Sequence, residues 1–364
     1  MDIKPNIVFY INNLEKGGAE RAILQLATGF YEQNYETTII TTFEGNNEYD
    51  FPKGLNRINL LEEQDTGNKI IRNLSLIIKL RKILKTQKPD FLISFMVEAN
   101  FRAILATVGL KTKCIVSVRN DPEKEYVGKL GKIIGKYIMP IADGCVFQTN
   151  DALNWFPKKL QRKSKIIYNA VKDEFFNVQR NVEENTVVTC GRLEEQKNHK
   201  MLIDAFEIVV KQCKDAKLLI YGEGSLRNEL QNIIDERVLS NNIKLCGNTN
   251  DVLGVLSKAE IFVLSSDYEG MPNALMEALA AGVPSISTDC PCGGPRMLIK
   301  DNESGVLVGT GSHIELSSAI INLLQDRELQ DKYSTESKKN AYQYKSTIVL
   351  KSWIEFLDSL KLND

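Results

Sequence analysis

The chain of 364 residues has few of the residues that usually build metal centres or disulfides. It has only two histidines, His199 and His313, and its seven cysteines are scattered without a C-x-x-C pair. No D-x-D sequence follows a strand-like run. The low histidine count excludes a histidine-rich metal centre, and an odd number of scattered cysteines predicts free thiols in a reducing cytoplasm. We expect neither a metal nor a cofactor.

Long apolar runs and an excess of one charge are also lacking. No run reaches the roughly 18 apolar residues that a membrane-spanning helix needs. The formal net charge is −1, so no global field favours nucleic acid. The apolar stretch near the N-terminus follows an acidic start and is broken by Asn12 and Asn13, which predicts a first strand rather than a signal peptide.

Short apolar runs alternate with helical patterns along the whole chain, and the length suits two domains. Such alternation predicts an α/β fold with parallel sheets covered by helices. We predict a first domain over residues 1–172, a polar linker over 173–185, a second domain over 186–345 and a final helical segment over 346–364. The predicted strands are 6–11, 37–43, 56–60, 91–95, 114–118, 144–148, 165–169, 186–190, 217–221, 243–246, 261–265, 285–287 and 305–308.

Two carboxylates, Glu269 and Glu277, lie eight residues apart near the start of a predicted helix. The apolar run 261–265 predicts a buried strand, and apolar residues at helical spacing follow from Asn273. Glu269 then lies between the carboxyl end of a strand and a helix N-terminus, where amides and the positive dipole end suit phosphate. Carboxylates can bind vicinal sugar hydroxyls, so the pair fits a nucleotide sugar. The alternative is one surface glutamate and one glutamate that solvates a helix.

The Glu269–Glu277 stretch resembles the E-x7-E signature of retaining GT-B glycosyltransferases of family 4. Other motifs follow in that family's order, and the resemblance covers nearly the whole chain. It implies two Rossmann-like domains that face across a cleft, an active site in the cleft and a last helix that packs back on the first domain. The other motifs are Gly17-Gly18-Ala19-Glu20-Arg21, Gly191-Arg192-Leu193 with Lys197, Tyr221-Gly222-Glu223-Gly224 and Gly282-Val283-Pro284.

The resemblance also implies roles for individual residues. Arg192 and Lys197 would hold the donor diphosphate and stabilise the charge of the leaving nucleotide, Glu269 would bind the hexose and Glu277 the ribose. The alternatives are a solvated loop for Arg192 and Lys197 and backbone packing for the glycines. The remaining donor-binding candidates are Gly17, Gly18, Gly222, Gly270, Met271, Pro272 and Asn273.

The first domain departs from many relatives, because no histidine follows its fourth predicted strand. The sequences 94–100 and 117–122 resemble instead bacterial transferases that build capsule, O-antigen or N-glycan precursors on polyprenyl diphosphate. Arg119, Asn120 and Asp121 are candidate contacts for the acceptor or the donor. The alternative is an Asp-Pro turn that caps the next segment.

Basic residues cluster in the first domain. Residues 68–89 contain seven lysines and arginines and no acid, with further lysines at 129, 132 and 136 and a second cluster over 158–165. Basic residues on an amphipathic helix predict contact with an anionic membrane. The alternative is an ordinary helix whose apolar stripe faces the sheet.

These patterns together predict a retaining glycosyltransferase, peripheral on the inner face of the cytoplasmic membrane. It would move a hexose or N-acetylhexosamine from a UDP-sugar to a glycan acceptor linked to polyprenyl diphosphate, and we expect no nucleic-acid partner. One alternative is a UDP-N-acetylhexosamine epimerase of the GT-B fold, although two histidines scarcely supply its acids and bases. The other is a non-catalytic scaffold that binds sugar nucleotides.

Overall fold

Short runs of β-branched and aromatic residues form two parallel sheets in the computed structural model, which describes residues 4–61 and 68–361. The chain divides into two compact units. Unit 1 comprises Met1–Ala170 and Ser346–Asp364, and unit 2 comprises Val171–Lys345. The α/β class and the two sheets with covering helices confirm the predicted fold.

The sheet of unit 1 has seven parallel strands in the order β3-β2-β1-β4-β5-β6-β7. The central strands β1 and β4 are buried along almost their whole length, because helices cover both faces of the sheet. The strands are β1 (Asn6–Ile11), β2 (Glu36–Thr41), β3 (Asn56–Asn59), β4 (Phe91–Phe95), β5 (Lys113–Ser117), β6 (Gly144–Phe147) and β7 (Ser164–Ile166).

The helices of unit 1 connect these strands, and the last one arrives from the far end of the chain. A π-helical turn over Ile134–Ile138 and a 3₁₀ turn over Met139–Ile141 continue α5. The helices are α1 (Gly18–Glu32), α2 (Lys69–Gln87), α3 (Val97–Thr107), α4 (Pro122–Glu125), α5 (Gly128–Ile133), α6 (Asn150–Trp155), α7 (Lys158–Gln161) and α16 (Ser346–Lys361).

Unit 2 contains a six-stranded parallel sheet in the order β10-β9-β8-β11-β12-β13. Its strands are β8 (Thr186–Cys190), β9 (Lys217–Tyr221), β10 (Ile243–Gly247), β11 (Ile261–Leu264), β12 (Ser285–Thr288) and β13 (Val306–Val308). Its helices are α8 (Asp173–Phe176), α9 (His199–Gln212), α10 (Arg227–Glu236), α11 (Val252–Lys258), α12 (Asn273–Ala280), α13 (Gly294–Leu298), α14 (His313–Gln325) and α15 (Arg327–Ala341).

Helix α16 completes the core of unit 1. The Trp353 side chain is 1% exposed and its ring stacks on Phe95 of β4, with the two centroids 6.1 Å apart. Val349, Phe356 and Leu357 belong to the same apolar cluster as Phe9 and Phe30. A segment some 180 residues downstream of the rest of unit 1 thus supplies part of its interior.

The structure differs from the predicted linker over residues 173–185. This segment lies in unit 2, begins with α8 and is attached by hydrogen bonds. The Arg180 guanidinium donates to the carbonyl oxygens of Gly282 and Ala259, 2.8 and 2.5 Å away. The Asn181 amide donates to the carbonyl of Ser257 at 2.8 Å. Polar composition suggested a free connection, but these polar groups bind the body of unit 2.

Candidate functional site

The loop between β11 and α12 carries Glu269 and is held by its neighbours on both sides. The Thr288 hydroxyl donates to the carbonyl of Ser266 at 2.6 Å, and the Asp267 amide donates to the carbonyl of Gln196 at 2.9 Å. The Cys292 amide donates to the carbonyl of Glu269 at 2.8 Å. Because the end of β12, the loop after it and the turn before α9 all fix its backbone, this loop presents its side chains in a defined orientation.

Glu269 is buried and paired. Its Oε1 accepts hydrogen bonds from the ammonium group of Lys197 and from the Ser266 hydroxyl, the latter at 2.7 Å. The cation and the hydroxyl compensate this buried carboxylate for its lost hydration. No residue in the described ranges 4–61 and 68–361 bonds its Oε2, so this oxygen is available to a ligand hydroxyl.

Lys197 is positioned by the turn that precedes α9. It ends a 3₁₀ turn, and Asn198 follows in the left-handed conformation at φ 44°. The Asn198 side chain accepts the Met201 amide at 3.1 Å and donates to Asp267 at 2.7 Å. The Ser265 hydroxyl donates to the Lys197 carbonyl at 2.8 Å. The turn after β8 and the loop after β11 are thereby joined around the Lys197–Glu269 pair.

Arg192 leaves β8 with an exposed side chain. Within the described part of the chain its guanidinium makes no hydrogen bond or ion pair, although its charge helps hold the pKa of Glu194 below the usual value, after the hydrogen bonds from Ser225. The structure therefore does not bring Arg192 into contact with the Lys197–Glu269 pair. An exposed guanidinium without a hydrogen bond or ion pair in the described residues can still bind an anion.

His199 begins α9 and is buried. Its Nε2 lies 3.3 Å from the Arg192 carbonyl oxygen. Burial lowers the pKa of His199 to about 4, and the positive charge of Lys197 contributes to the decrease. The imidazole is neutral near pH 7 and packs inside the turn, so it supports the loop rather than acting as an acid.

Glu277 lies on the inner side of α12 and is 4% exposed. Burial raises the pKa of the Cys190 thiol to about 12, and the charge of Glu277 adds to the increase. Glu277 is therefore close to the end of β8. The structure places both predicted carboxylates at the carboxyl edge of the unit 2 sheet, where open α/β sheets bind ligands.

Two glycine positions show how tightly the loops around the site pack. A Cβ atom on Gly222 would lie 1.9 Å from the carbonyl oxygen of Gly191, and one on Gly294 would lie 1.7 Å from that of Gly270. Gly222 therefore allows the loop after β9 to lie on the loop after β8. This is the role in backbone packing that the sequence analysis gave as the alternative to donor binding. Gly294, to which the sequence analysis assigned no role, packs closely against the backbone of the turn Gly270–Asn273 and supports it.

The remaining candidates lie in unit 1. Gly17 and Gly18 begin α1. The Arg119 guanidinium lies over the Phe95 ring, 4.0 Å from its centroid. The Asp121 side chain accepts the Glu123 amide at 3.0 Å and caps α4, so the capping alternative holds for this residue. Asn120 is half-buried between them.

Sequence reasoning missed two residues that contact or border Glu269. Ser266 donates directly to its carboxylate, and a serine pair after a buried strand was the signal for it. Cys290 lies beside the pair; burial raises the pKa of its thiol to about 12, and the charge of Glu269 adds to the increase. No group of three or more His, Cys, Asp or Glu that could hold a metal occurs in the described residues.

Comparisons with known proteins identify the family and the fold of the chain. Residues 171–340 match the family described as Glycosyl transferases group 1, and residues 16–175 match Glycosyltransferase Family 4. An uncharacterized glycosyltransferase of Methanocaldococcus jannaschii is 31% identical over 76% of this chain and 80% of its own length.

A second relative is an α-1,4-N-acetyl-D-galactosaminyltransferase of Campylobacter jejuni, whose full name specifies a glycan on PP-undecaprenol. It is 28% identical over 98% of this chain and 99% of its own length. The crystal structure of Anabaena HepE with UDP and glucose superposes with a TM-score of 0.82 at 16% identity, over 98% of this chain and 100% of that one. The chain therefore belongs to glycosyltransferase family 4 and is a glycosyltransferase of the GT-B fold.

Proposed function

We propose that the chain transfers a hexose or an N-acetylhexosamine from a UDP-sugar to a glycan on polyprenyl diphosphate and retains the anomeric configuration. The Lys197–Glu269 pair carries this proposal. It combines a cation for the diphosphate with a carboxylate whose Oε2 has no partner among the described residues. One oxygen of Glu269 is fixed by Lys197 and Ser266, while the other faces a sugar hydroxyl.

The charge distribution fits departure of a nucleoside diphosphate. Negative charge grows on the leaving diphosphate as the glycosidic bond breaks, and a cation already in place stabilises that charge without reorganisation. Lys197 contributes this positive charge, and the exposed side chain of Arg192 adds a second one. Beside the Lys197–Glu269 pair we identify no separate nucleophile among the described residues. We therefore propose attack by the acceptor on the face that the leaving group vacates, with the donor phosphate accepting the acceptor's proton.

The acceptor assignment has different support. The Campylobacter relative acts on a PP-undecaprenol glycan by its name, and the acid-free basic stretch 68–89 lies in unit 1. We propose peripheral attachment to the inner face of the cytoplasmic membrane. No helix in the described residues is long and apolar enough to cross a bilayer.

The test is a transfer assay with single UDP-sugars and extracted polyprenyl-diphosphate glycans. We expect release of UDP that depends on the lipid, together with a product whose new linkage keeps the α or β configuration of the donor by NMR. Conversion of a UDP-N-acetylhexosamine into its epimer without lipid would establish the epimerase alternative. UDP binding without any turnover would favour the scaffold.

A further inference from the structure

One helical segment of unit 1 exposes an unusual number of large apolar side chains. Val127, Leu130, Ile133, Tyr137 and Ile141 are between 48% and 70% exposed in the whole chain. Their spacings of three and four residues place them on one side of α5 and the turns that continue it. Contiguous exposed apolar surface marks an interaction site, whereas single exposed residues need no explanation. We call this side the outer face of segment 127–141.

The inner side of the same segment is packed firmly against unit 1. A Cβ atom on Gly131 would lie 2.4 Å from the backbone of Tyr126, and one on Gly135 would lie 2.6 Å from the Trp155 ring. The Tyr126 and Trp155 rings are themselves in contact, with centroids 5.5 Å apart. The segment is therefore seated on an aromatic cluster, and its exposed apolar side chains do not belong to a displaced core helix.

The charged side chains of the segment itself are all positive. Between Val127 and Ala142 the only ionisable side chains besides Tyr137 are Lys129, Lys132 and Lys136, and each is exposed. Apolar side chains interleaved with lysines are typical of helices that lie in the interface of an anionic bilayer. Another protein with an apolar patch would not account as well as an anionic lipid surface does for three lysines that form no ion pair within the described residues.

A second stripe lies on the same side of the sheet. Ile70, Ile71, Leu74 and Ile78 of α2 are between 56% and 72% exposed, whereas Leu76, Leu80 and Leu84 are buried. The crossovers from β3 to β4, β4 to β5 and β5 to β6 run in one direction across the sheet, so their helices share one face. Helix α3 packs against both α2 and the turns 134–141, and therefore lies between the two stripes.

We propose that the outer face of segment 127–141 inserts into the headgroup region of an anionic bilayer and, with the exposed stripe of α2, forms a two-element membrane face on unit 1. Both elements start at the carboxyl edge of the sheet, because α2 runs antiparallel to the strands and segment 127–141 follows β5. The bilayer would then adjoin the loop that holds Arg119 and Asn120. This inference deepens the proposed function, since it states how a lipid-linked acceptor meets unit 1.

The experiment separates insertion from charge attraction. The variant Leu130→Ser with Ile133→Ser and Tyr137→Ser removes apolar side chains and keeps every lysine. Sedimentation with vesicles of equimolar phosphatidylglycerol and phosphatidylcholine is measured in low salt and in about 0.5 M NaCl, where the Debye length falls to roughly 4 Å. We expect the parent to keep part of its binding in high salt and the variant to lose about tenfold or more.

A matched control is available on unit 2. Val238, Ile314 and Tyr342 are similarly exposed, at 81%, 56% and 57%, and their triple serine variant should sediment like the parent. Equal high-salt binding of the parent and the 130/133/137 variant would overturn the proposal. So would a parent that is dimeric by light scattering and a variant that is monomeric with unchanged vesicle binding, because the face would then cover a second copy.

A direct probe does not depend on the serine variant. Leu130→Trp should become quenched by bromine-labelled acyl chains, and Ile314→Trp should not. Equal quenching at both positions, or none at Leu130→Trp, would contradict insertion. These readouts need no glycosyl transfer, so a chain that inserts but transfers no sugar would refute the proposed function alone. A chain that transfers sugar but does not insert would refute this inference alone.

Discussion

The two units differ in the groups that they place at their candidate binding surfaces. Unit 2 buries two carboxyl side chains, since Glu269 and Glu277 are 6% and 4% exposed at the carboxyl edge of its sheet. Its exposed large apolar residues, Val238, Ile314 and Tyr342, are far apart in the sequence. Unit 1 instead exposes two apolar stripes on neighbouring helices.

Each arrangement is unfavourable for the isolated unit, for a different reason. Buried ionised groups lose hydration and need compensating partners, while exposed apolar surface orders or displaces water at a free-energy cost. A ligand with hydroxyls and phosphates compensates the buried groups for their lost hydration. An apolar, anionic surface covers the exposed apolar side chains and so removes their cost. The contrast supports the proposal that unit 2 binds the donor and that unit 1 meets the lipid-linked acceptor.

The largest expected effect concerns the carboxylate of unit 2. Glu269→Gln should reduce transfer on the order of 10²-fold or more, because an amide cannot accept from Lys197 and a sugar hydroxyl as a carboxylate does. Steady-state rates with saturating UDP-sugar measure this loss. Near-normal turnover by a folded variant would refute the role of Glu269.

Glu260→Gln is the matched control, since Glu260 is a buried glutamate at the opposite end of the same strand. Its carboxylate accepts from the Asn185 amide and from Gln330, the latter at 2.8 Å. This substitution should lower the melting temperature, because a charged hydrogen-bond acceptor is lost, and leave the rate of the folded enzyme unchanged.

A smaller effect distinguishes the two cations. Arg192→Ala should weaken UDP binding about tenfold by calorimetry without changing stability, because the side chain is exposed and makes no bonds in the described residues. Lys197→Ala should weaken UDP binding and also destabilise the fold by about 1–3 kcal/mol, since Glu269 loses its buried partner. Equal UDP affinity of both variants and the parent would show that neither side chain binds the diphosphate.

On unit 1, Lys82→Gln with Lys85→Gln should reduce low-salt binding to anionic vesicles roughly tenfold to thirtyfold, at about 1 kcal/mol for each lysine near the surface. Arg81 is left intact, because its guanidinium donates to the carbonyls of Ala106 and Val108 at 2.8 and 2.7 Å. UDP affinity should not change. Unaltered sedimentation would mean that this side of α2 is an ordinary solvated surface.

The last prediction is that removal of divalent metal ions leaves the transfer rate unchanged. Transfer should persist in EDTA, because Lys197, Arg192 and the N-terminus of α12 supply the positive charge that a divalent ion supplies elsewhere. Rates before and after chelation, with added Mg²⁺ as the control, measure this. Complete loss in EDTA with recovery in Mg²⁺ would contradict the prediction.

The sequence predicted strands well, because short apolar runs between turns have few other interpretations. Strands 6–11, 91–95, 186–190 and 217–221 agree with the structure to the residue. Helix α15 (Arg327–Ala341) was missed, since Gln330 and Ser337 lie among its buried positions and hide the apolar period. In α2 the alternative of an ordinary helix with one apolar stripe facing the sheet accounts for only part of the apolar residues, because periodicity does not distinguish one apolar face from two.

The residue types of the site and their order in the chain could be predicted from the sequence, but the contacts between them could not. Glu269 and Lys197 are 72 positions apart, and only the fold reveals that they pair. Two further features depend on side-chain and loop packing, which the spacing of residues alone does not encode. They are the exposure of Arg192, which has no bonding partner in the described residues, and the close packing of Gly294 on Gly270. Those roles of Glu269, Arg192 and Lys197 that involve a bound sugar nucleotide remain predictions.

Helix α16 has a consequence for the order in which the protein folds on the ribosome. Unit 2 is one continuous stretch, whereas the interior of unit 1 includes Trp353 and Phe356 from residues synthesised after unit 2. Domains usually fold in the order of their synthesis, but here the second unit can complete its fold before the first. We expect the nascent first unit to remain incomplete, with Phe95 lacking its stacked partner, until synthesis has passed residue 361 and that residue has left the exit tunnel.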